Sequence, residues 1–330
     1  MFYTCYDATG STGITAAGDI TVTGSAGTTA FTNMYSGCLA LTKAPNVNIG
    51  LIQGTVTATG ACYRMFYNLT GLQSISSITA TTINPYGCEY MFQNCTGLQN
   101  LDDVEITATT IHDYCYSYMF TGCGMTDISG LALNTNKVAP YSHQYMFNAC
   151  KSLADLDGFV LPATDLAEHC YQYMFTGCTG LKSVDNLTLA ATELVPYCYS
   201  NMFASCTALE TPMDKIQVNT IAEQSCAQMF KGCKVLESSP AITADSVGYN
   251  GCLEMFMNCY ASASAGLKTV GEMNFRTIYT RGLFSMFEGC KRLDEVQEEF
   301  TSSYVGDYGC SRMFATCSAL TETFKMNVAE

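Results

Sequence analysis

One phrase, Cys170-Tyr171-Gln172-Tyr173-Met174-Phe175-Thr176-Gly177-Cys178-Thr179-Gly180-Leu181, constrains this chain more than any other feature, because altered copies of it fill the sequence. With methionine as the phase marker, copies fall at Met1, Met34, Met65, Met91, Met119, Met146, Met174, Met202, Met229, Met255, Met286 and Met313. The spacings are 33, 31, 26, 28, 27, 28, 28, 27, 26, 31 and 27 residues. A period of this length kept along the whole chain signals stacked units, each burying its apolar face against its neighbours. The expectation is one solenoid of about 12 repeats over residues 1–330. Residues 1–33 read as a degenerate, Gly/Thr-rich first repeat, with Ile14, Ile20 and Val22 as strand residues. Residues 260–266 (Tyr260-Ala261-Ser262-Ala263-Ser264-Ala265-Gly266) are an insertion that stretches Cys-x-x-Leu to Cys259…Leu267; it reads as a contact loop or as a neutral surface insertion.

Within one repeat, Cys88, Met91, Phe92 and Cys95 stand at i, i+3, i+4 and i+7, the spacing of one helix face, with Glu89, Gln93 and Asn94 opposite. Pro85, Pro140 and Pro196 lie six residues before their methionine, where a first helical turn accepts proline. Gly122, Gly177, Gly232 and Gly289 precede the closing cysteine and suit a helix end. Cys-x-x-Leu follows, as in Cys178 to Leu181, and then a broken apolar alternation from Leu181 to Leu194 around the turn dipeptide Asp185-Asn186. The expected fold is therefore an α/β repeat solenoid, with a parallel sheet on one face and short helices on the other.

The Met-Phe-x-x-Cys-x-x-Leu core resembles the Ala-Phe-x-x-Cys-x-x-Leu element of BspA-like leucine-rich repeat proteins of bacterial surfaces. Phe92, Phe120, Phe147, Phe175, Phe203 and Phe230 match that element's phenylalanine, and Cys95, Cys123, Cys150, Cys178, Cys206 and Cys233 match its cysteine. The repeats here are longer than the family's usual unit, and most carry a second cysteine before the methionine, a form similar to repeats of gut bacteria and their phages. The resemblance implies a non-catalytic surface or adhesive role.

Composition narrows the partners. With 29 acidic against 15 basic residues and a net charge of −14, the chain is a poor match for nucleic acid, which is bound through clustered Lys and Arg. No apolar run is long enough to span a bilayer, and the N-terminus lacks the pattern of a signal peptide.

The 19 cysteines admit three readings: small buried hydrophobes, disulfides, or metal ligands. On a helix, Cys115 and Cys123 would lie ~12 Å apart, beyond the reach of a disulfide. Bridges between repeats need backbones stacked at about 5 Å, whereas packed helices sit ~8–10 Å apart. Zinc lacks support, because there is no Cys-x-x-Cys and His112, His143 and His169 occupy different phases of the repeat.

Other groups carry paired readings. Asp102, Asp157 and Asp185 recur seven residues after a closing cysteine, as turn residues or as stacked carboxylates for a cation or basic partner. Tyr90, Tyr118, Tyr145 and Tyr173 before the methionine, with Tyr116, Tyr171 and Tyr199 after the first cysteine, form stripes suited either to a binding face or to the edge of the helix layer. Asp294 to Glu299 reads as a solvated acidic run, and Asn68, Asn94 and Asn186 head weak glycosylation triplets. No residue is assigned to catalysis, to a metal or to a cofactor. Because the motif runs to both termini without a recognisable cap, the leading expectation is an extracellular structural protein (cell surface, secreted fibre or virion) whose partner is itself, joined head to tail into a fibre. The alternative is an adhesin or phage receptor-binding solenoid that recognises a host-surface protein or glycan.

Overall fold

The computed structural model describes residues 13–54, 60–102, 104–133, 137–297, 299–322 and 325–328. Met1 and Cys5, and residues 323–324 and 329–330 of the C-terminal stretch, lie outside them, as does Glu298 of the acidic run. The chain winds as a parallel β-solenoid of about 11 coils. One face carries two main parallel sheets. The first runs β1 (Ile20–Ala26), β2 (Val47–Ile52), β3 (Ile78–Ile83), β4 (Glu105–Ile111) and β5 (Ala132–Leu133), in chain order. The second contains β6 (Lys215–Ile221), β7 (Ala241–Val247), β10 (Met273–Ile278) and β12 (Tyr304–Val305). Between them the coils touch through single bridges such as Leu161 to Leu189. β11 (Glu299–Ser302) pairs with β13 (Lys325–Val328). The insertion at 260–266 is an antiparallel hairpin of β8 (Tyr260–Ser262) and β9 (Ala265–Gly266).

Strand alternation explains which residues enter the core. In β6, Ile216, Val218 and Ile221 are buried while Lys215, Gln217 and Asn219 face out. In-register stacking repeats the choice in every coil, as in Val218 against Ala244 and Ala244 against Phe275.

The opposite face overturns the expectation of helices: no helix occurs among the described residues. Residues 85–94 form a ribbon of overlapping turns instead. The N–H groups of Glu89, Met91, Gln93 and Cys95 donate to the carbonyls three residues back, Tyr86, Cys88, Tyr90 and Phe92, at 3.1–3.2 Å. The intervening N–H groups of Cys88, Tyr90, Phe92 and Asn94 donate to Cys115, Ser117, Met119 and Thr121 of the next coil at 2.8–3.1 Å. Every fourth residue has a left-handed backbone, with φ of 61° at Tyr86, 58° at Tyr90 and 62° at Asn94. A positive φ at the second central residue is the signature of a type II turn. The apolar signature i, i+3, i+4, i+7 is thus the four-residue period of this ribbon, which a helical period mimics over one repeat.

Spacing decides between the two structures. Strands stack at about 4.8 Å and helices at about 8–10 Å. A ribbon keeps the strand spacing on both faces and gives each N–H a partner, either in its own turn or on the next coil. The prolines serve as ribbon residues: the carbonyls of Pro140 and Pro196 accept from Tyr114 and His169 of the preceding coils.

Inside, like residues stack on like. Tyr35, Phe66, Phe92, Phe120, Phe147, Phe175, Phe203, Phe230, Phe256, Phe287 and Phe314 form one file, with ring centroids 5.0–5.6 Å apart and planes within 17°. Phe159 packs edge-on against Phe147 and Phe175, 5.9 Å from each. Such pairs are worth about 0.5–1.5 kcal/mol each beyond their burial. The methionine, closing-cysteine and leucine positions make parallel files. Even past the hairpin, Leu267 N–H still donates to Cys259 O at 2.9 Å, as Leu98 does to Cys95 at 3.1 Å.

Candidate functional site: paired tyrosine columns on the turn face

Between Tyr86 and Tyr197 the aromatic residues at left-handed ribbon positions are half-buried, and in successive coils their rings stack on one another. The residue before each methionine gives Tyr90, Tyr118, Tyr145 and Tyr173, whose rings stack at 4.7, 4.4 and 4.5 Å with planes within 17°. Four residues earlier runs a second column, Tyr86, Tyr114, Tyr141, His169 and Tyr197, at 4.6, 4.5, 4.4 and 4.4 Å. All nine side chains are half-buried. The sequence reading found the first column and missed the second, although its spacing of 28, 27, 28 and 28 residues carries the same signal.

Tyr116, Tyr171 and Tyr199 do not belong to this surface. They point inward and are 1–2% exposed, in a file that His143 shares at 1%. In these coils the bulky ring occupies the position three before the methionine, where Cys62, Cys88, Cys226 and Cys252 sit in other coils, and the cysteine moves back by one residue. Burial holds the His143 imidazole down at about 3, so it stays neutral; its Nδ1 meets Ser142 Oγ at 2.9 Å.

Between the columns lies a polar floor. Gln144 Nε2 donates to Gln172 Oε1 at 2.7 Å, and His169 Nδ1 approaches the same oxygen at 2.8 Å, which fixes Nδ1 as the protonated nitrogen. Burial pushes the phenols of Tyr90 and Tyr114 up to about 12, and Tyr118 higher still, so these three present neutral hydroxyls. At one end the tyrosine position is taken by Arg64, whose guanidinium carbon lies 5.1, 4.9 and 5.0 Å from the ring centres of Tyr63, Tyr67 and Tyr90. Beside it Glu89 is buried, and burial raises its carboxyl to about 8 against the opposing pull of Arg64.

The remaining sequence candidates scatter. Asp102, Asp157 and Asp185 are exposed. The stack brings Asp157 to the amide of Asn186, 2.7 Å away, while Asp185 accepts from Ser183 at 2.6 Å. Both aspartates sit in turns. Glu295 pairs with Lys268 at 2.9 Å. Asn94 lies in the ribbon rather than in a helix, and its amide donates to Asn68 at 2.9 Å. His112 is exposed, so the three histidines stay apart in three environments. Among the described residues no group of three His, Cys, Asp or Glu is placed to hold a metal ion, and no helix is long and apolar enough to cross a membrane.

No curated protein sequence matches the chain. Among solved structures it is similar to a leucine-rich repeat protein from Bacteroides ovatus, with 19% identity over 83% of this chain and 73% of that one, at a TM-score of 0.37. A leucine-rich repeat protein from Eubacterium ventriosum is 11% identical over 87% and 79%, at 0.32. A leucine rich cell surface protein from Faecalibacterium prausnitzii is 16% identical over 85% and 87%, at 0.23. The resemblance read from the Met-Phe-x-x-Cys-x-x-Leu repeat is to bacterial leucine-rich repeat proteins, and residues 116–245 and 169–267 match the family described as Mycoplasma protein of unknown function, DUF285.

Proposed function

We propose that the chain is a non-catalytic recognition module of a cell or virion surface, and that it engages a protein partner across the paired tyrosine columns. The supporting observation is the stack itself. Nine aromatic side chains are held by their neighbours at 4.4–4.7 Å, so they lose little freedom on binding. Their ring faces are spent on one another. What remains for a partner is a regular array of ring edges and neutral hydroxyls over an amide floor. Such an array suits a protein surface, where tyrosine is an enriched contact residue. It does not suit a sugar that needs an open ring face.

The test is binding of the purified chain to host extracellular glycoproteins, before and after enzymatic deglycosylation, with Tyr118→Phe/Tyr145→Phe and Tyr118→Ser/Tyr145→Ser variants alongside. The reading expects binding that survives deglycosylation, weakens with the double Phe variant and is abolished by the double Ser variant. Parent-level binding by a folded Ser variant would refute it.

A second reading, head-to-tail assembly, has its own observation: the coils join through parallel strand pairing that the strand of a second copy could extend. Open parallel edges accept another strand. Negative-stain microscopy across a concentration series should then show filaments; uniform monomers at every concentration would dismiss this reading.

A further inference from the structure

The interior thiols are the largest chemical resource that the surface reading leaves unused. Cys38 is disulfide-bonded, and the 17 other described cysteines are free. The closing-cysteine file includes Cys95, Cys123, Cys150, Cys178, Cys206, Cys233, Cys259, Cys290 and Cys317, each with its thiol donating to a phenylalanine carbonyl of the preceding coil at 3.0–3.2 Å. Hydrogen bonds from coil to coil flank these positions, such as Asn94 N–H to Thr121 O and Asn258 N–H to Glu288 O, both 2.8 Å. Backbones joined in this way stand about 5 Å apart, inside the roughly 4.4–6.8 Å that a disulfide requires between Cα atoms. The condition that stacked helices would have failed is met by the ribbon.

Three pairs occupy the same phase of adjacent coils with a coil-to-coil backbone hydrogen bond at or beside the cysteines: Cys62 with Cys88 (Cys62 N–H to Gly87 O, 2.9 Å), Cys95 with Cys123 (Asn94 N–H to Thr121 O, 2.8 Å), and Cys259 with Cys290 (Asn258 N–H to Glu288 O, 2.8 Å). We propose that these three pairs are latent inter-coil disulfides, closed by exchange with a small-molecule disulfide while the coils are still assembling. In the first step the thiolate of one cysteine attacks the small disulfide, forming a mixed disulfide and releasing one small thiolate. The partner's thiolate then attacks the protein-side sulfur, forming the bridge and releasing the second small thiolate, and the two cysteine protons end on the released thiols. Two protein thiols are oxidised and one small disulfide is reduced.

The timing follows from burial. All six cysteines are 0–2% exposed, and a thiol in apolar surroundings is inert to exchange. Bridging therefore belongs to folding, and the finished reduced coil resists it. The loops closed are short, 26, 28 and 31 residues apart in sequence.

The experiment refolds the denatured, reduced chain with a reduced/oxidised glutathione mixture and, in parallel, with reductant only. Circular dichroism checks the fold, free thiols are alkylated, and peptides are mapped by mass spectrometry. The expected result is loss of alkylation at the six cysteines, three bridged peptide pairs and a higher urea midpoint than the reduced form; native reduced protein given the same mixture should keep all six thiols. Natively folded protein with the six thiols free, glutathione adducts without bridges, or bridges between non-neighbouring coils would each overturn the proposal. Cys123→Ala should free Cys95 and leave the other two bridges intact. Cys88→Leu is a second variant, since Leu283 fills the same position of its own coil fully buried.

Discussion

Replacing Gly177 by alanine should destabilise the protein, because the ribbon holds this residue in a left-handed backbone. In the ribbon Gly177 holds φ at 74°, where a side chain costs about 1–2 kcal/mol. An added Cβ would meet nothing nearer than the Ala149 Cα at 3.9 Å, so no clash enlarges the penalty. Restricting the unfolded chain returns about 0.4–1 kcal/mol. The net expectation is a loss of up to about 1.6 kcal/mol, centred near about 0.8 kcal/mol. The same column supplies the converse, since Ala149 already sits at φ 56°. Ala149→Gly should therefore stabilise by a similar amount. Urea titrations followed by far-UV circular dichroism read both as midpoint shifts at constant slope. A higher midpoint for Gly177→Ala together with a lower one for Ala149→Gly would refute the ribbon.

Phe175→Leu keeps most of the buried volume but loses the contacts to Phe147, Phe203 and Phe159, so urea unfolding should show a loss of about 2–4 kcal/mol, and less than 1 kcal/mol would mean the file is mere filling. Glu89, raised by burial to about 8, favours the folded state most while it is protonated. Its contribution is complete below the unfolded carboxyl range and is lost as pH rises toward 8, so Glu89→Gln should flatten that decline in a pH series of midpoints. His143 runs the other way: held at about 3, its contribution is present above the unfolded range near 6.5 and is lost as pH falls toward 3. His143→Phe should reduce the acid-side loss, and an unchanged acid limb would contradict the assignment.

The phenylalanine file and the first tyrosine column were legible in the sequence because stacking converts spacing along the chain into contact in space. Phe92, Phe120 and Phe147 could be placed in one file before any coordinates, and Asp157 and Asp185 in neighbouring turns. The ribbon was not legible, because its four-residue period buries the same four side chains, Cys88, Met91, Phe92 and Cys95, that a short helix would bury. Gly122 and Gly177, with φ of 71° and 74°, did mark a left-handed position, but one such residue per repeat is also how a helix ends. The tyrosines at the other left-handed positions gave no warning. Tyrosine has no preference for that conformation, and it is held there by bonds to the next coil that sequence periodicity does not display. The phase of the first cysteine was hidden for a related reason: it shifts by one residue wherever Tyr116, Tyr171 or Tyr199 takes the inward position.

The hairpin at 260–266 has a use of its own. It enters between Cys259 and Leu267, yet the turn bond between those two residues is kept at 2.9 Å, and both side chains remain fully buried. The coil therefore possesses a port at which its length is decoupled from its register. Foreign sequence grafted at the equivalent turn of another coil, such as between Cys178 and Leu181, would be displayed at a chosen height along the stack without moving the files beneath it.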